Sequence, residues 1–175
     1  MFFIESERLR MIPLTNELLQ LCNANRAAME LAVGLNISNM KVDPFYKNEV
    51  DDAMANFWLP KTREHPDAYI WYTNWEIILK STNISIGGMG FAGEPNERGE
   101  AETGYMIDQQ HHNKGYATEA LQLLSGWALA QERVNAIIVH TYEDNMASKK
   151  LLMKCGFEEV AKDESGLMTF RLEKP

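Results

Sequence analysis

Between residues 100 and 141 the chain changes its hydrophobic period twice, and this limits the folds open to it more than any other feature. Glu100 to Asp108 reads as a strand. Tyr116 to Gln131 carries Ala120, Leu121, Leu124, Trp127 and Ala128 at helical spacing, and Ala136 to Thr141 is a compact β-branched run. Strand, helix and strand in that order predict a parallel pair, because a helical crossover returns the chain in the same direction.

The flanking segments predict antiparallel partners for that pair. Leu9 to Leu14 reads as a short edge strand, and Thr15 or Asn16 caps a helix carrying Leu18, Leu21, Cys22 and Met29. A second helix is expected over Glu49 to Leu59, with Met54, Phe57 and Trp58 on its apolar side. The aromatic and β-branched runs Tyr69 to Leu79 and Ile84 to Phe91 flank Lys80-Ser81-Thr82-Asn83, a hairpin turn, and Glu100 to Asp108 completes a three-strand meander. Asn145 caps a further helix with Ala147, Leu151, Leu152 and Cys155 inward, and Gly156 stands where a left-handed C-terminal cap belongs. Phe157 to Lys162 and Leu167 to Leu172 close the chain as a hairpin. The expectation is an α/β fold: a mixed, mostly antiparallel twisted sheet with a parallel central pair and helices on both faces.

A chain of 175 residues is long enough for one sizeable core, and no linker or repeat divides it, so residues 1–175 read as a single domain. The net charge of -8 speaks against a nucleic-acid partner, whose phosphates need a basic face. Cys22 and Cys155 lie far apart, and His111 and His112 are adjacent with no ligand cluster nearby, so neither a disulfide framework nor a metal site is expected. His65 and His140 stand alone. Met1-Phe2-Phe3-Ile4 is too short, and too soon followed by Glu5 and Glu7, for a membrane span or signal peptide. These features predict a cytoplasmic protein without a membrane partner.

One segment points to a ligand. His112-Asn113-Lys114-Gly115-Tyr116-Ala117-Thr118 lies between a strand and an amphipathic helix. A helix start offers unpaired N–H groups and the positive end of a dipole, which suit a phosphate or pyrophosphate. Gly115 and Ala117 keep side-chain bulk off that backbone. The loop lacks the Gly-Lys-Ser/Thr ending of a Walker motif and is no dinucleotide fingerprint.

Four ordered blocks then resemble the GNAT N-acetyltransferase superfamily, in particular its RimJ/RimL-type branch of ribosomal-protein Nα-acetyltransferases. They are Glu5-Ser6-Glu7-Arg8-Leu9-Arg10, Ala101 to Ile107, Lys114 to Ala120, and Asn145-Met146-Ala147-Ser148 with Lys154-Cys155-Gly156-Phe157. The resemblance runs nearly end to end and implies the GNAT acyl-CoA N-acyltransferase fold. One departure stands in the loop pattern Gln/Arg-x-x-Gly-x-Gly/Ala: His112 opens it, and its ring can still donate to a phosphate. Asn113 sits where this branch often has glycine.

The resemblance implies acetyl-CoA as cofactor, CoA as product, and direct attack by a primary amine in a ternary complex. It places Tyr105, Met106, Ile107, His112, Asn113, Lys114, Gly115, Tyr116, Ala117, Thr118, Asn145 and Ser148 along the cofactor. It also implies a bulge at Tyr105 to Ile107 that frees the amide of Met106 or Ile107 to polarise the acetyl carbonyl. Glu102 on the same strand is the candidate base, with Glu100 two residues earlier facing the same way. Many family members carry a tyrosine as the acid at the position of Leu152, so Ser148 is the candidate donor to the thiolate, with Tyr142 and Tyr116 in reserve. Trp71, Tyr72 and Trp75, with Phe57 and Trp58, read mainly as core, and part of the stripe can line an acceptor pocket. The acidic group Asp43, Glu49, Asp51 and Asp52 can steer a cationic acceptor, a protein N-terminus or a small amine. A non-catalytic acyl-CoA-binding module is the alternative, and an exposed edge strand would permit a homodimer.

Overall fold

In the computed structural model, which describes residues 1–175, one eight-stranded sheet runs through the molecule. The strands are β1 (Ile4–Glu5), β2 (Leu9–Pro13), β3 (Asn74–Leu79), β4 (Ile84–Phe91), β5 (Glu100–Ile107), β6 (Ala136–Tyr142), β7 (Glu158–Lys162) and β8 (Leu167–Glu173). Their order is β1-β2-β3-β4-β5-β6-β8-β7, antiparallel throughout except for β5 beside β6. The parallel pair at the centre follows from the helical crossover between those strands.

Alternation divides the sheet into two faces. On the back face Leu9, Met11, Trp75, Ile77, Met89, Ala101, Ile137 and Val139 are fully buried. The helix α5 (Tyr116–Leu129) lays Ala120, Leu121, Leu124 and Ala128 onto them, and α6 (Met146–Lys154) adds Leu152. Each leucine removed from water in this way stabilises the fold by about 2 kcal/mol. Trp71, Trp75, Phe91 and Trp127 pack together in the same core, with ring centroids as close as 4.7 Å.

The front face is covered only over the β2–β4 half. There α1 (Asn16–Ala24) and α2 (Arg26–Ala32) meet a long helical stretch made of α3 (Pro44–Ala53), a π-helical segment Met54–Trp58 and α4 (Leu59–Glu64), around Leu14, Leu19, Met29 and Met54. Over β5–β8 the front face stays open, with the Glu102 side chain half exposed and His140 a third exposed.

Several expectations need correction. Leu9–Pro13 is not the edge, because Ile4 and Glu5 pair outside it. The helix that begins at Thr15 does not run to Met29: Asn25 is extended at φ -160° and its side chain caps α2 by accepting from Ala28 N–H. The second helix begins at Pro44, capped by Asp43, and it widens into π geometry just before Pro60, which has no N–H to give. The aromatic run from Tyr69 is a 3-10 helix, Pro66–Trp71, before it becomes strand at Asn74. No helix is long and apolar enough to cross a membrane.

Candidate active site

The loop before α5 is built by two left-handed residues. Gly115, the N-cap residue, sits at φ 80°, a conformation that costs glycine nothing, and Asn113 sits at φ 60°, where asparagine is one of the few tolerated side chains. No side chain caps α5, so its first-turn amides keep their hydrogen-bonding capacity for a ligand. The loop is braced from the N-terminal block. Arg8 Nη1 donates to the Lys114 carbonyl at 3.0 Å, its guanidinium lies over the Tyr116 ring at 4.6 Å, and its Nε meets Glu119 Oε2 at 2.6 Å. Ser6 Oγ and Arg8 N–H donate to the other Glu119 oxygen. Burial pushes the Glu119 carboxyl up, but these hydrogen bonds outweigh it and leave it below the usual range.

Two loop side chains are already engaged. Lys114 Nζ donates to the Gln110 carbonyl, and His112 Nε2 lies 2.8 Å from the Ile107 carbonyl, so that nitrogen is a donor spent on backbone. The loop's uncommitted hydrogen-bond donors are therefore its amides more than these two side chains.

From this loop a gap leads across the sheet. β5 and β6 pair only from Glu100 to Glu102 and then separate. Asp108 N–H donates to Ile86 and Ala92 N–H donates to the Glu102 carbonyl, so the even residues of β5 face β4. By alternation the amides of Tyr105 and Ile107 face the gap, while that of Met106 belongs to the ladder. The expected bulge at Tyr105 to Ile107 is absent, since β4 and β5 keep one register from Phe91–Thr103 to Gly87–Ile107; the register shift lies between β3 and β4, at Ile77/Ile78. Separation of the parallel strands, rather than a bulge, leaves the Tyr105 and Ile107 amides facing the gap, while the Met106 amide, expected as an alternative donor, is taken up by the ladder.

The gap opens on the front face into a pocket of about 500 Å³. Gly88, Gly90 and Gly104 line its floor, with open space only above Gly104, and Ala53 at the end of α3 joins Phe57 and Trp58 of the π-helical segment in the lining. At one end Arg26 is held by two buried carboxylates, Glu76 at 2.6 Å and Glu30 at 3.2 Å. Glu49, Asp52, Glu76 and Glu102 give the lining four carboxylates against that one engaged cation. Asp43 and Asp51 are outside the lining: Asp43 caps α3 and Asp51 pairs with Lys47.

Glu102 stands at the other end, and its neighbour Glu100 is differently placed. Asn96 holds the Glu100 carboxyl well below the usual range, assisted by Arg171 and Arg98. Its oxygens are spent on those partners, whereas Glu102 is 52% exposed and faces the pocket. His140, which the sequence shows only as an isolated histidine, is beside it: Nε2 lies 3.7 Å from Glu102 Oε2, and Nδ1 is 3.1 Å from Thr169 Oγ1. Only the pairing of β5 with β6 and β6 with β8 brings these three residues together.

On the back side of the gap Asn145 caps α6 by accepting from Ser148 N–H at 3.1 Å, and Ser148 Oγ lies 2.9 Å from the Tyr105 hydroxyl. Of the reserve tyrosines, Tyr116 lies beneath Arg8 and Tyr142 is exposed. Leu152 is fully buried in the core.

The sequence profile of the acetyltransferase (GNAT) domain matches residues 8–158. The uncharacterized N-acetyltransferase YjdG of Bacillus subtilis strain 168 is 41% identical over 86 residues, covering 49% of this chain and 51% of that protein. The chain spans about half the length of the curated relatives it matches. Among solved structures, RimL, a ribosomal L7/L12 α-N-protein acetyltransferase in complex with coenzyme A, superposes with a TM-score of 0.68 at 15% identity, over 98% of both chains. A variant of the spermidine N-acetyltransferase SpeG from Vibrio cholerae superposes with a TM-score of 0.63 at 16% identity, over 97% of this chain and 95% of that one. Both likenesses are of fold. The chain belongs to the GNAT acetyltransferase family, on a profile that covers most of its length.

Proposed function

We propose that this GNAT domain transfers the acetyl group of acetyl-CoA to a primary amine by direct attack in a ternary complex. The reading is carried by three features read together: an uncapped α5 start, the β5–β6 separation after Glu102, and an acidic pocket that Glu102 lines.

Along that path the residues divide the work. The amides from Gly115 to Thr118 are placed to grip a pyrophosphate, with Asn113 and Lys114 shaping the approach and His112 fixing the loop to β5. Acetyl-CoA brings an activated thioester, whose carbonyl the gap-facing amide of Ile107 or Tyr105 is suited to polarise. Glu102 takes the proton from the incoming ammonium, directly or through one water, and His140 stands ready beside it as the next acceptor. Ser148 offers its hydroxyl to the developing thiolate.

The acidic lining favours an acceptor with positive charge, and bare glycines on the floor favour one slim enough to lie against backbone. A small cationic amine and a protein N-terminus both fit that description. Thiol release from acetyl-CoA, measured against a panel of polyamines, aromatic amines and N-terminal peptides, tests the proposal. Acceptor-dependent release is the expected result. Tight CoA binding with no release on any acceptor would instead favour an acyl-CoA-binding module.

A further inference from the structure

We propose that Tyr105 and Ser148 act as a two-hydroxyl relay that returns a proton to the departing thiolate, with Tyr105 as the acid and Ser148 as the conduit. The inference rests on the acetyl-transfer reading above and adds to it a residue that acts through Ser148.

The case begins with acidity. An isolated serine hydroxyl is far too weak an acid to protonate a thiolate at a useful rate, whereas a phenol, with an ordinary value near 10, is within about two units of a thiol. The usual remedy, a tyrosine on α6, is impossible here because Leu152 occupies that position and is fully buried. The phenol comes instead from β5. Tyr105 lies at the separated end of the strand, its ring packed against the core and its oxygen 2.9 Å from Ser148 Oγ. Burial outweighs the opposing bond to Ser148 and holds the phenol above its ordinary value, so it is a protonated donor at neutral pH.

Position supports the same roles. Tyr105 borders the pocket that holds Glu102, and Ser148 lies in the first turn of α6, on the opposite side of the gap. On the proposed route a thioester runs from the α5 loop toward Glu102 past this hydroxyl pair. As the C–S bond breaks, Ser148 Oγ–H gives its proton to sulfur and takes one from Tyr105 Oη. The phenolate regains a proton from solvent once the thiol has left. The titratable groups nearest the Tyr105 hydroxyl are Tyr46 and Cys155.

The test uses the full chain, acetyl-CoA and any amine it accepts. Tyr105→Phe keeps the ring and removes the donor; it is expected to lower kcat by about a hundredfold, with CoA affinity by calorimetry changed by less than about threefold. Ser148→Ala should match it, and the double variant should lose little more than either single, as expected for members of one relay. Site-specific incorporation of 3,5-difluorotyrosine at 105, which acidifies the phenol without removing it, should move the basic limb of the kcat profile to lower pH. Turnover of Tyr105→Phe within about twofold of the parent, or a basic limb unmoved by fluorination, would overturn the relay. Wild-type protein that binds CoA but transfers nothing would fail the functional proposal first, so the two failures are separable.

Discussion

Arg8 holds a loop more than a hundred residues away: its Nε meets Glu119 Oε2 at 2.6 Å while its Nη1 donates to the Lys114 carbonyl at 3.0 Å. The N-terminal block thereby fixes both the first turn of α5 and the loop that leads into it. Arg8→Ala removes the brace without touching the amides, and because the side chain is partly exposed the effect is modest, about 1 kcal/mol. Acetyl-CoA binding measured by calorimetry should weaken about fivefold, with kcat at saturation nearly unchanged.

The same cluster sets an acid limit. Glu119 has a folded-state pKa below its unfolded value, so its contribution to stability is complete above about pH 4.5 and is lost as pH falls through the lower folded value. Thermal melts of the parent between pH 6 and pH 3 should show a steeper loss of Tm below about 4.5 than those of Glu119→Gln, whose side chain no longer titrates.

Glu102 and Glu100 differ in what surrounds them, and paired substitutions should separate their roles. Glu102→Gln is expected to lower kcat by about a hundred- to ten-thousandfold, leaving Tm in place. Glu100→Gln breaks contacts to Asn96, Arg98 and Arg171, and should act mainly on Tm.

The pocket floor offers a cleaner steric test. A Cβ built at Gly104 meets nothing within 4 Å, so Gly104→Val has room for its backbone and projects into the acceptor space. The acceptor KM should rise by about tenfold or more while CoA affinity stays constant. At Gly88 the corresponding Cβ would stand 2.3 Å from Asn74 Oδ1, and Gly88→Ala should cost stability as well.

Arg26 neutralises part of a buried acidic pair, and its loss leaves Glu76 and Glu30 without a cation. Arg26→Met should destabilise the fold by about 3 kcal/mol, read as a fall in Tm of about 8 °C.

Much of this arrangement is legible in the sequence, and the reason is local. The α5 loop, the Asn145 cap and the hairpin at Lys80 to Asn83 each depend on a few adjacent residues whose preferences agree. The misread elements had conflicting or insufficient local signals. Aromatic content over Tyr69 to Tyr72 reports burial rather than extended backbone, and Pro66 starts a 3-10 turn there. Asn25 breaks a helix whose apolar spacing continues past it. His140 and the Tyr105–Ser148 contact depend on strand pairing and on a helix returning over the sheet, relationships that sequence distance conceals. The supposed bulge in β5 belonged to the resemblance rather than to these residues, and the register shows how strand separation frees the same amides.

Calorimetric titration of the folded protein with CoA tests the central claim most directly, because every catalytic role assigned above requires the α5 amides to hold the nucleotide end. Saturable binding at a stoichiometry of about one, diminished by Arg8→Ala, is the predicted result. Heats indistinguishable from dilution, from protein that melts cooperatively in the same buffer, would contradict it.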